Sequence, residues 1–148
     1  MIYKKQHLDT LRASGRWGVR TSADGISHGG FVRPPLGEWA ECPQWPVKPT
    51  CDGGGFFCQS SAGHGYAQPG QMELVELGGE IKIIGADKTA AQRMRWLYID
   101  QEAVDALVYL TGGAWAGSLA VDRDYDLSGI LSVGGDVRAC EGASINLP

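Results

Sequence analysis

Four residues in the first half of the chain have the most direct chemical potential: Cys42, Cys51, Cys58 and His64. Thiolates and imidazoles are the ligands zinc prefers, and structural zinc sites pair them across about two to four intervening residues. Here the gaps are eight, six and five residues, so the expected role is that of small core thiols and a loop histidine. Cys58 and His64 also form a nucleophile–base combination on paper, but no elbow motif surrounds them. The triplet Gly53-Gly54-Gly55 offers backbone N–H groups to a phosphate, yet it lacks the Lys-Ser/Thr of a P-loop and reads as a turn. His28, beside Gly29-Gly30, is either a ligand or base, or a turn histidine bonded to backbone. Asp122, Asp124 and Asp126 alternate as in a calcium loop. The glycine and distal glutamate of that loop are missing and Arg123 intrudes, so a solvated acidic loop is expected. Five tryptophans are many for 148 residues. Trp39, Trp45 and Trp115 lie in loop-like surroundings, where they either anchor a partner or seal loops over a small core.

These residues must be positioned by short elements. Glycine is abundant, at 22 residues, and falls in pairs and triplets that punctuate strands rather than long helices. Residues 4–12 carry His7, Leu8 and Leu11 at helical spacing, and residues 16–21 alternate as a strand with Trp17 and Val19 on one face. Residues 29–51 hold Pro34, Pro35, Pro43, Pro46 and Pro49, each lacking a backbone donor, so a central strand is not expected there. Residues 72–77 alternate, with Met72, Leu74 and Glu76 on one face and Glu73, Val75 and Leu77 on the other. Gly78-Gly79 then suggests a hairpin into a strand at 80–84. Asp87 is expected to cap a short helix through Arg93, followed by a strand at 95–99. Asp100 is read as the N-cap of a helix over 101–110, stopped by Gly112-Gly113. The sum is α+β: a compact, mostly antiparallel twisted sheet with two or three short helices and long loops.

The chain divides into one globular domain over residues 1–126 and a terminal piece over 127–148. In that piece Ile130, Leu131, Val133, Val137, Ala139 and Ile145 fit a single β-solenoid rung. One rung cannot bury its own faces, so it must cap the domain, pair with another chain as in a homodimer, or belong to a longer array. The formal charge of −4 and the absence of any Lys/Arg run beyond two residues give no sign of direct nucleic-acid binding. No stretch of about 18 apolar residues suggests a membrane span, and the polar first ten residues do not read as a signal peptide. The cytoplasm, with reduced thiols, is the expected compartment.

Three stretches are lettered alike in an uncharacterised family of phages, prophages and actinobacterial genomes: 23–31 (ADGISHGGF) before a proline–tryptophan loop, 51–55 (CDGGG), and 131–137 (LSVGGDV). The chain resembles that family, although Phe56-Phe57-Cys58 stands where its relatives carry a histidine. The resemblance implies a phage or mobile-element protein in a bacterial cell that binds a host protein complex, such as an inhibitor of a defence system of the anti-CRISPR kind. Trp39, Trp45, Trp115 and the three aspartates would be its contacts. A second resemblance runs through Gly53-Gly54-Gly55-Phe56-Phe57, Ser60-Ser61, Tyr66 and residues 72–78, which look like the central block of ADP-ribosyltransferases. It implies an NAD enzyme in which Arg20 or His28 holds the ribose, Phe57 stacks on nicotinamide and Glu102 replaces a carboxylate that the strand at 95–99 lacks. Without that carboxylate the main electrostatic contribution is gone, so the expectation is a non-catalytic version with no cofactor.

Overall fold

The computed structural model describes residues 5–27, 30–43, 45, 56–65, 67–84, 88–139 and 145–146. Helix α1 (Lys5–Ser14) forms where the sequence spaces Leu8 and Leu11 one turn apart, and both are buried. It leads into β1 (Trp17–Ser22), the short edge strand β2 (Trp39–Glu41), β3 (Phe57–Ser60), and two long strands, β4 (Gln71–Ile84) and β5 (Lys88–Ile99). Strand β1 pairs antiparallel with both β3 and β4, β5 pairs antiparallel with both β3 and β4, and the ring closes as a small four-stranded barrel. β2 adds to the outer part of β5, matching Trp39 with Arg95 and Glu41 with Arg93. The molecule is thus mixed helix and strand, with the sheet closed on itself.

So narrow a barrel leaves little room inside. Gly18 on β1 is obligatory, because a Cβ there would stand 2.6 Å from Cys58 Sγ and 2.7 Å from the Gln59 carbonyl oxygen. The alternation read in β4 holds: Met72 and Leu74 join the core shared with the helices, while Val75 and Leu77 join the second core with Phe56, Cys58, Met94 and Trp96. The loop before β2 closes over this second core, with the Phe31 ring 5.1 Å from Phe56 and 5.9 Å from Trp96.

Two local expectations are corrected. Gly78-Gly79 is not a hairpin turn; β4 runs through it, and the register against β5 shifts between Gly78 and Ile81. Gly79 takes φ +68°, the left-handed conformation that lets one extra residue bulge out of a ladder. The segment from Lys88 to Arg93 is strand, not helix. Ala90 and Ala91 are fully buried there, and Thr89 and Ala90 pair with both β3 and β4, ladders a helix would break on both sides.

Helix α2 (Asp100–Thr111) follows β5 directly and ends at Gly112, φ +68°, whose N–H returns to the Val108 carbonyl. It packs Ala103, Leu107 and Leu110 into the core, and Tyr109 donates to Asp9 of α1 at 2.6 Å. Six short strands then follow: β6 (Ala114–Trp115), β7 (Leu119–Val121), β8 (Tyr125–Asp126), β9 (Ser132–Val133), β10 (Val137–Ala139) and β11 (Ile145–Asn146). They pair in parallel, β6 with β9, β7 with β10 and β8 with β11. Offsets of 18, 18 and 20 residues make this two stacked three-sided coils. The first coil is tied to the barrel by a parallel bridge between Gly70 and Val121.

Candidate functional site

The β1–β4 ladder sets Arg20 opposite Glu73, and both side chains turn into the barrel. Glu73 is 1% exposed. Its Oε1 accepts the indole N–H of Trp96 at 3.0 Å and forms an ion pair with Arg20, whose Nε lies 2.9 Å away; its Oε2 accepts the Ser22 hydroxyl at 2.8 Å and Arg33 Nη1. Three hydrogen bonds and the Arg20 ion pair surround this carboxylate. Burial pulls the Arg20 guanidinium down from its ordinary value, and Glu73 opposes that. Arg20 also donates to Ser27 and lies 5.3 Å from the centre of the Trp96 ring.

The cluster continues outward. Arg33 reaches Gln71 Oε1 at 3.0 Å, Gln71 donates to Asp100 at 3.0 Å, and the Tyr125 hydroxyl donates to Asp100 at 2.9 Å. The same Tyr125 oxygen accepts the Met72 N–H at 3.1 Å. Asp100 therefore does not cap α2 with its side chain; it takes φ +55° and links barrel to coil. Arg123 ends the chain of contacts, 3.6 Å from Asp100, 2.7 Å from Asp122 and 2.6 Å from Asp24.

Against this frame the enzyme set separates. Arg20 is bound into the cluster, His28 lies outside the described residues, Phe57 is half-buried on β3 under the Lys88 ammonium, and Glu102 is exposed on α2. Phe57 pairs with Ala90, and the run of β5 from there to Ile99 puts about 30 Å of strand before the helix at ~3.3 Å per residue. A shallow cleft of about 170 Å³ lies between Gly65 and Ala67 on one side and coil residues 118–120, Asp136 and Arg138 on the other; it contains none of that set.

Cys42 and Cys58 are buried, and Cys51 lies outside the described residues. Among the described residues no three metal-binding side chains converge. Cys58 is 3% exposed, and burial pushes its thiol up to about 12, with Arg20 opposing, which disfavours the reactive thiolate. His64 serves through its backbone, its carbonyl accepting from Ser60 N–H and the Thr89 hydroxyl.

Of the expected contact residues, Trp115 is corrected. Trp115 is 1% exposed and fills the first coil, its ring 5.8 Å from Trp17 and its N–H on the Ser118 carbonyl. Trp39 stays at the surface between Arg93 and Arg95, and Trp45 is half-buried beside Lys82. Asp122 is neutralised by Arg123, which holds its carboxyl below the usual value. Asp126 is held down by the hydroxyl and N–H of Ser128. Asp124 remains exposed.

What sequence reasoning missed is the first coil, on which the rung read at 127–148 stacks. Residues 114–119 (AWAGSL) stack on 132–137 (SVGGDV). The corner needs glycine: a Cβ on Gly134 would stand 2.4 Å from the Ala116 carbonyl oxygen, and one on Gly135 2.1 Å from Ser118 Oγ. In the first coil Trp115, Leu119 and Val121 are fully buried. Their register partners Val133, Val137 and Ala139 are half-buried, 37% exposed and exposed. Leu131 beside them is 69% exposed. This coil end is the candidate functional surface.

Two measurements check the interior. Glu73→Gln removes the counter-charge of Arg20 and is expected to lower unfolding free energy in urea by about 3–5 kcal/mol, while Arg20→Met with Glu73→Leu recovers much of it; a Glu73→Gln loss below about 0.5 kcal/mol would mean the cluster is not structural. The Cys58 thiol ionises near 9.0 in the unfolded chain and near 12 when folded. The thiol's contribution to stability should therefore be flat below pH 9 and fall between pH 9 and 12, so that the wild type loses about 1.4 kcal/mol per pH unit more than Cys58→Ala there; equal slopes would place the thiol in solvent.

Comparison with protein-family models, with curated proteins and with solved structures returns no match, so the functional reading rests on the geometry.

Proposed function

We propose that the chain is a non-enzymatic assembly protein of the phage type, in which a barrel-and-helix base starts a stack of parallel β coils. One observation carries this reading: Leu119 and Val121 are buried in the first coil, while their register partners Val137 and Ala139, over which no described strand lies, are exposed. Each coil in such a stack covers the one before it, and the base supplies the first covering layer at Gly70. A buried carboxylate held by three hydrogen bonds and an ion pair, a buried thiol, and the separation of Arg20, Phe57 and Glu102 support the non-enzymatic half.

A second reading, a binder of a host protein complex such as a defence system, is favoured by Ile26 and Val32. They bridge one another in the loop beside the barrel and are 49% and 65% exposed, a pair large enough to seat in a partner's apolar pocket.

Appending one more segment with the register of 131–148 tests the first reading. The added segment should resist limited proteolysis and raise the melting temperature; rapid trimming back to the original chain would contradict it. For the second, a tagged chain incubated with host lysate should recover one stoichiometric protein that Val32→Asp releases, and recovery of none would remove it.

A further inference from the structure

The open coil end has a property that neither a lone cap nor a generic sticky edge requires: its exposed edge is self-complementary. β10 and the residue before it read Asp136-Val137-Arg138, with alternating directions. Val137 belongs to the apolar column over Leu119. Asp136 and Arg138 both line the outer cleft and approach one another at 3.4 Å. One edge of β10 is taken by β7, and among the described residues no strand pairs with the other.

Resting on the coil reading above, we propose that this edge pairs with a second copy of the chain, antiparallel, about a two-fold axis at Val137. In that register Val137 meets Val137 of the second copy. Asp136 faces Arg138 of the second copy, and Arg138 faces its Asp136, so both flanking pairs are opposite in charge. Centring the axis on Arg138 instead would set the two guanidinium groups against each other, which cross-strand pairing disfavours. A two-fold contact uses the same patch twice, and a strand whose flanking residues are of opposite sign around one apolar residue satisfies that condition by itself. Leu131, 69% exposed, extends the apolar contact on the same end. One coil end is far smaller than the ~800 Å² per partner of a standard interface. The dimer is therefore weak and concentration-dependent, and weakened by salt.

Sedimentation equilibrium of the full chain from about 10 μM to about 1 mM at low salt tests this, since a dissociation constant in that range is what so small a contact gives. The wild type should shift from monomer to dimer. Asp136→Arg, which opposes like charges across the axis, should weaken dimerisation by about tenfold or more. Asp136→Arg with Arg138→Asp restores both cross-pairs and should restore the dimer, which a merely structural role for either residue would not produce. A wild type monomeric throughout, or a dimer indifferent to the charge reversal, would overturn the proposal. Resistance of residues 114–139 to limited proteolysis, measured on the same samples, reports the coils independently. A protected monomer rejects the dimer and keeps the coil stack, whereas a cleaved segment rejects both.

Discussion

A single buried carboxylate governs this molecule. Taking Glu73 out of water costs several kcal/mol unless its charge is met and its oxygens are hydrogen-bonded, and the groups that do this come from different places: Arg20, its ion-pair partner, and Ser22 on β1, Trp96 on β5, Arg33 on the covering loop. A slip of one residue between β1 and β4 would turn either Arg20 or Glu73 to the other face and leave the remaining charge buried without its partner. The cluster thus fixes the register of the barrel seam, and Arg33 fixes the loop that closes over Phe56 and Trp96. Through Gln71, Asp100 and Tyr125 the same network reaches the first coil, so base and coil share one set of polar contacts as well as one apolar core.

From this follows the division of labour we propose. The residue types that suggested chemistry are consumed by structure: Arg20 balances Glu73, Cys58 fills the space against Gly18, Arg123 occupies the acidic loop, and Trp115 fills the first coil. Among the described residues, apolar side chains left at the surface include Ile26 and Val32 in one loop and Leu131 and Val137 on the coil end. The coil end differs from the loop in having an internal standard, because the coil beneath shows the same column of positions when covered.

Much of the local structure was legible in the sequence. The alternation of Met72 to Leu77, the helical spacing of Leu8 and Leu11, and the stripe of Ala103, Leu107 and Leu110 each follow from one face being buried. The segment after Asp87 was misread because Ala90 and Ala91, good helix formers, are forced into strand by neighbours on both sides, a tertiary override that no local window contains. Gly78-Gly79 carries hairpin lettering in a bulge, which uses the same left-handed conformation for a different purpose. The two-coil repeat was hidden since Trp115 and Val133 fill equivalent positions with different volumes, leaving little shared lettering beyond Gly117 and Gly135. A glutamate on the face that also carries Val75 and Leu77 was the one visible sign of the buried cluster, as a carboxylate on an inward face demands a cation.

The central claim is that barrel and coils form one folded unit, with the second coil shielding the first. Amide hydrogen exchange compares them directly through two N–H groups: Leu77, which donates to Arg16 in the barrel, and Leu119, which donates to Asp136 across the coils. If the account holds, both exchange slowly and slow further together as stability rises. Exchange of Leu119 at the rate of an unstructured peptide, with Leu77 still protected, would contradict it.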